Sequence, residues 1–247
     1  MRVRPWLAIC GLAQFLLIAS SLAGEFEDGL AASKGGDYAV ALKFWRPLAE
    51  QGHVAAEYNL ALMYARGQGV PQNDAEAVKW YRRAAGRSYA PAQLALAISY
   101  EEGRGVSQSF SKAMKWYRLA AQQGDVTAQV TLGLIYGAGR GVPQNHWQAA
   151  KWYGLAAEQG NATAQNNLGL LHARGHGVAQ DDVQAYTWFS LAAAAGDAAA
   201  AKNRDTLSTG MTAKQVIDAQ KRADEWRSAK ALDKAVKCQN SNSADCD

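Results

Sequence analysis

Residues 55–90 read AAEYNLALMYARGQGVPQNDAEAVKWYRRAAGRSYA, and the pattern returns at 91–126, 127–162 and 163–198 without a gap. Steps of 36 residues carry Trp80 onto Trp116, Trp152 and Trp188, and Gly69 onto Gly105, Gly141 and Gly177. The same step carries Leu60 onto Leu96, Leu132 and Leu168, and Tyr64 onto Tyr100, Tyr136 and His172. Self-similarity at a fixed period of this length marks a repeat architecture, and it is tested before local structure.

Each unit reads as two helices. In the first (helix A), Ala56, Leu60 and Tyr64 stand four apart and share one face. In the second (helix B), Ala77, Trp80, Tyr81, Ala84 and Ala85 follow the i, i+3, i+4, i+7, i+8 stripe of an amphipathic helix. Gly67 and Gly69 end helix A, where glycine takes the left-handed conformation at little cost. Asn73 or Asp74 caps helix B. Gly124, Gly160 and Gly196 end the later B helices, whereas Ser88 holds that place in the first unit and predicts a different turn. Small residues at 61, 97, 133 and 169 let helices approach, and each tryptophan fills the space between hairpins. A single hairpin cannot bury its apolar face, but four stacked ones form a continuous core.

The pattern A-x-x-x-L-A/G-x-x-Y-x-x-G-x-G-V followed by A-x-x-W-Y/F-x-x-A-A closely resembles the Sel-one-like repeat (SLR) family, relatives of the tetratricopeptide repeat. His172 and Phe189 make the fourth unit the most divergent. The resemblance implies an all-α, right-handed α/α solenoid whose A helices line a concave, peptide-binding surface. Non-repeating positions on that surface are then the partner-binding candidates: Tyr58, Asn59, Leu94, Glu101, Glu102, Val130, Thr131, Asn166, Asn167 and Arg174. Asparagine offers both donor and acceptor to a peptide backbone.

The ends break the period. Residues 1–23 carry Arg2 and Arg4, an apolar run from Trp6, and small residues at Ser21 and Ala23, the pattern of a cleaved signal peptide. An uncleaved membrane anchor is the alternative, since the run approaches the minimum length of a span. Residues 24–54 read as a degenerate N-terminal repeat, with Trp45 one residue short of the tryptophan register and Pro47 bending its helix. Residues 199–236 read as C-terminal capping helices. Thr212 and Gln215 form a capping box, and Val216, Ile217, Ala219, Ala223 and Trp226 form the packed face. Residues 237–247 read as a disordered tail.

Composition bounds the function. Hydrophobic residues at 49% and charged residues at 19% exclude a disordered chain or a coiled coil. A net charge of +4 gives no support to nucleic-acid binding. Without residues 1–23, 24 basic residues face 22 acidic ones, and Cys238 and Cys246 remain as either a disulfide or two free thiols. His172 and His176 stand four apart, but the Ala-Arg-Gly between them lacks the catalytic glutamate of a zincin and Gly175 should end the helix before His176, so no metal or cofactor is expected. Gly137-Ala-Gly139-Arg-Gly141 follows a helix rather than a strand and reads as a cap, not a phosphate loop. No nucleophile–base constellation emerges, so the chain is not expected to be an enzyme. Lys79, Lys115 and Lys151, flanked by Arg82, Arg83 and Arg118, read as a solvated face, with a basic stripe for a polyanion as the sharper alternative.

The sequence therefore predicts a periplasmic or secreted monomeric scaffold or regulator that binds a protein or peptide. By resemblance, SLR members of the bacterial envelope include regulators of signalling and exopolysaccharide production. A β-lactamase-like hydrolase is the second reading, weakened because no repeat carries the cysteine pair of such relatives. Polysaccharide binding ranks last, since only Tyr38, Tyr58, Tyr89 and Tyr186 lie off the repeat pattern.

Overall fold

The computed structural model describes residues 24–241, so the signal segment read at residues 1–23 lies outside the described residues. The described chain is helical, with no strand. The helices are α1 (residues 24–34), α2 (Tyr38–Glu50), α3 (Val54–Arg66), α4 (Asp74–Gly86), α5 (Ala90–Glu102), α6 (Phe110–Gln122), α7 (Val126–Ala138), α8 (His146–Glu158), α9 (Ala162–Arg174), α10 (Asp182–Ala194), α11 (Ala198–Ser208) and α12 (Ala213–Ser241). The chain divides into two compact units, residues 1–125 and 126–247. In the first, α2 to α5 each pack on the next helix in sequence; in the second, α7 to α10 do the same, and α12 folds back on α10. This is the α/α solenoid packing that the periodicity predicts.

The B helices start alike. Asp37, Asn73, Ser109, Asn145 and Asp181 each accept a hydrogen bond from the backbone N–H three residues on, at 2.9–3.4 Å, which satisfies one of the orphan donors of a helix start. Gly105 shows why the second glycine recurs. Its φ is +68°, and a Cβ there would collide with the backbone of Asp74 on α4. Gly177 meets the backbone of His146 in the same way.

Ser88 does not change its turn. It adopts φ +62°, the left-handed conformation that Gly124 takes at +93° one repeat later. Tertiary packing imposes the same turn on a residue that resists it by about 1 kcal/mol.

The core is a stack of small and large columns. Leu60, Leu96 and Leu132 are fully buried, and Trp80, Trp152 and Trp188 nearly so, while Trp116 is half-buried. A Cβ on Gly133 would strike the Tyr153 ring, and one on Gly169 would lie 2.7 Å from Phe189. Burying one large apolar side chain contributes about 1.5–3 kcal/mol, so these columns dominate the stability of each hairpin.

Three expectations need correction at the ends. First, α2 lies 36 residues before α4, which puts Phe44 in the tryptophan column and Trp45 in the tyrosine column. Trp45 is therefore in register; its indole donates to the Phe26 carbonyl at 3.3 Å. The helix also runs on through Pro47, which sits in its last turn. Second, Ile217 is 66% exposed. Ala219, Ala223 and Trp226 follow i, i+4, i+7 and pack inward, Trp226 edge-on to Trp188 at 6.4 Å; Ile217 lies off that stripe. Third, α12 extends to Ser241, into the segment read as a disordered tail. The capping box at its start forms, with Gln215 Oε1 accepting from Thr212 N at 2.8 Å. Cys238 is disulfide-bonded; Cys246 lies outside the described residues.

Candidate functional site

Variable side chains of the A helices line two grooves, one in each unit. The groove of the first unit lies between α3 and α5 and encloses about 310 Å³. Tyr58, Leu62, Tyr81, Leu94 and Ile98 make its apolar wall, with Arg66, Asp74 and Arg104 at its polar edge. Tyr58 packs on Tyr81 at 5.9 Å and edge-on to Tyr89 at 5.4 Å. Burial, together with the neighbouring Tyr89 phenol, raises the Tyr58 pKa. Burial pushes the Tyr81 phenol up to about 12.

The groove of the second unit lies between α7 and α9 and encloses about 270 Å³. It occupies the equivalent position two repeats later. Leu134 replaces Leu62, Asn167 replaces Ala95, and Leu170 replaces Ile98. His146 stands where the first unit has Asp74, and His176 where it has Arg104. The two imidazoles stack at 4.9 Å. Burial pushes the Tyr153 phenol here to about 12 as well.

The residues singled out from sequence do not share one fate. Tyr58, Leu94, Asn167 and Arg174 line grooves. Asn59, Val130 and Thr131 are half-buried. Glu101 accepts from the Tyr117 hydroxyl at 2.5 Å, and Glu102 pairs with Arg104 at 2.6 Å. Asn166 accepts from the Asn203 amide at 2.9 Å, which ties α9 to α11. Glu101 and Asn166 thus serve the fold through at least one contact each.

The basic column is largely engaged. Lys79 pairs with Glu76 at 3.4 Å, and Lys115 and Lys151 sit over Trp116 and Trp152 at 5.9 and 5.4 Å. Arg82 donates to the Tyr100 hydroxyl at 3.0 Å, and Arg83 covers the Trp80 ring at 4.6 Å. Of the off-pattern tyrosines, Tyr186 is buried, Tyr38 is half-buried, and Tyr58 and Tyr89 pack on each other. Trp147 is 60% exposed. Among the described residues no cluster of three or more His, Cys, Asp or Glu is arranged to hold a metal, and no helix is long and apolar enough to cross a membrane.

One buried column escaped the sequence reading. Glu57, Gln93, Gln129 and Gln165 are spaced by 36 and all buried. Glu57 takes ion pairs from Arg83 at 2.9 Å and Arg87 at 3.1 Å. The equivalents of Arg87 are Gln123 and Gln159, whose amides donate to Gln93 at 2.7 Å and to Gln129 at 2.9 Å. The spacing of three glutamines was the available signal; the carboxylate at its head hid it.

The Sel1 repeat family profile matches residues 21–53, 54–89, 90–125, 126–161 and 162–197. A protective antigen of uropathogenic Escherichia coli strains, with an SLR fold, superposes at a TM-score of 0.72 and 35% identity; the match covers 87% of this chain and 48% of that one. A Sel1 repeat protein from Oxalobacter formigenes gives a TM-score of 0.72 at 30% identity, covering 81% of this chain and 84% of that one. A stretch of 52 residues is 44% identical to an exopolysaccharide production negative regulator of Rhizobium meliloti (strain 1021), covering 21% of this chain and 19% of the regulator. The chain thus spans about half the length of the E. coli antigen and about a fifth of the Rhizobium regulator.

Proposed function

The chain belongs to the Sel1 repeat family, and on that premise we propose that it is an exported, non-enzymatic adaptor or regulator that captures a partner protein on the exposed faces of its A helices. Sel1 repeat proteins are generally protein-interaction scaffolds. The observation that carries the reading is the segregation of side chains. Most apolar residues that recur every 36 positions are buried in the core, whereas the grooves between A helices are lined mainly by residues that vary, the recurring Ala77, Tyr81 and Tyr153 excepted. A groove with an apolar wall and a few polar groups at its rim is the usual form of a recognition site. The charge and apolar pattern of residues 1–23 supports export. The short likeness to the Rhizobium exopolysaccharide regulator supports a regulatory role.

A photo-crosslinking amino acid placed at Leu94 or Asn167, in the full chain expressed in its own envelope, tests the site. Adducts with one discrete partner are expected from these positions and not from Lys79 or Lys151 on the B helices. Adducts only from the B-helix positions would overturn the proposal.

A further inference from the structure

We infer that the groove between α7 and α9 takes an acidic peptide segment, with aliphatic side chains on its floor and a carboxylate at its rim. The inference rests on the protein-binding reading above and gives the partner its chemistry. Leu134 and Leu170 make the floor, and Leu134 is 43% exposed. The rim carries His146, His176, Arg174 and Asn167, and the lining includes no aspartate or glutamate. All four side chains carry hydrogen-bond donors that an anion can accept from.

The first unit shows what an answered groove looks like. There Asp74 lies in the lining beside Arg66 and Arg104, and Arg104 is held by Glu102 at 2.6 Å. In the second unit a histidine replaces that aspartate, so the lining holds cationic and neutral groups only. Among the described residues the exposed Arg174 side chain has no hydrogen-bond or ion-pair partner. His146 Nδ1 is buried without a hydrogen-bond partner, in a ring stacked on His176. A guanidinium at the open end of a groove favours a carboxylate, because charge-assisted hydrogen bonds are shorter and about twice as strong as neutral ones. The apolar floor selects a peptide over a simple anion.

Selection of a random phage-displayed dodecapeptide library on the purified chain tests this. The recovered peptides are expected to carry Asp or Glu beside Leu, Ile or Val. In fluorescence anisotropy, Arg174→Gln should weaken their binding about tenfold, the change that one lost charge-assisted contact brings. Replacing Glu by Gln in the peptide should do the same, and Arg66→Gln in the other groove should change it less than about twofold. Recovered peptides without acids, or Arg174→Gln without effect, would overturn the inference, as would displacement of the peptide by heparin or an oligonucleotide at equal charge. If the native partner still crosslinks at Leu94 or Asn167 after such a result, the protein-binding reading stands and only the acidic chemistry falls.

Discussion

The two units carry the same buried polar columns and complete them differently. In the first, Glu57 meets two arginines through Oε1, its Oε2 being buried without a partner, and Gln93 meets Gln123. In the second, Gln129 meets Gln159, but Gln165 faces Ala195 where its partner would stand, and its Oε1 is buried without a partner. A second column repeats the contrast. Arg46 and Arg82 donate to the hydroxyls of Tyr64 and Tyr100 at 3.2 and 3.0 Å. Three repeats on from Arg46 and Tyr64, Gly154 and His172 stand in those columns, and His172 Nδ1 is buried unpaired. Arginine and tyrosine are lost together. Here the two partners change as a pair, whereas Gln165 stays although its partner is lost; the aliphatic columns hardly change. A buried polar group left alone costs about 1–3 kcal/mol, which apolar packing does not recover.

The largest test of this contrast is Glu57→Ala. Removing the carboxylate should cost about 3 kcal/mol, the low end for breaking a buried ion pair, because Arg83 and Arg87 are 37% and 46% exposed and can rehydrate. Denaturant unfolding measures it. The double variant E57Q/R87Q, which copies the Gln93–Gln123 pair, should recover most of the loss; recovery of none would mean that the columns are not equivalent. Next comes Ala195→Gln, which should stabilise the second unit by about 1 kcal/mol, one net hydrogen bond. Its backbone suits the change: φ is −84° and ψ 6° at Ala195, against −85° and 2° at Gln159. An unmoved midpoint would show that Gln165 is reached from elsewhere. Smallest at neutral pH is the behaviour of the phenols. With folded pKa values near 12 for Tyr81 and Tyr153 against about 10 unfolded, their stabilisation is complete below pH 10 and is lost as pH rises toward 12. Tyr81→Phe and Tyr153→Phe should each flatten the alkaline limb of a stability–pH curve. A limb unchanged in both would refute the burial of the hydroxyls.

Most of the fold was legible because each unit states the same constraints four times. Where a constraint was stated once, the reading slipped. Trp45 was placed one residue out because a tryptophan drew more weight than Ala41, whose 36-residue spacing to Ala77 sets the register. Ser88 was expected to alter its turn, yet packing overrode its local preference. The site was less legible. Position on helix A placed Tyr58, Asn167 and Arg174 on faces that line grooves, but did not show that Asn166 turns toward Asn203 or that Glu101 meets Tyr117. Such contacts join positions 37 and 16 residues apart, and nothing in a single helical wheel distinguishes them from groove-facing neighbours. The histidine pair escaped for the same reason: His146 and His176 are 30 residues apart and meet only once the Gly177 turn closes on α8.

The row of oxygen-bearing residues at Asp37, Asn73, Ser109, Asn145 and Asp181 sets how such a chain can change length. Each hairpin carries its own start signal and its own glycine stop, so cutting out or duplicating any 36 consecutive residues in the periodic region returns every helix to an equivalent cap. Evolution or an engineer can alter the number of hairpins in one step, and only the interface chemistry on either side of the seam must be matched again.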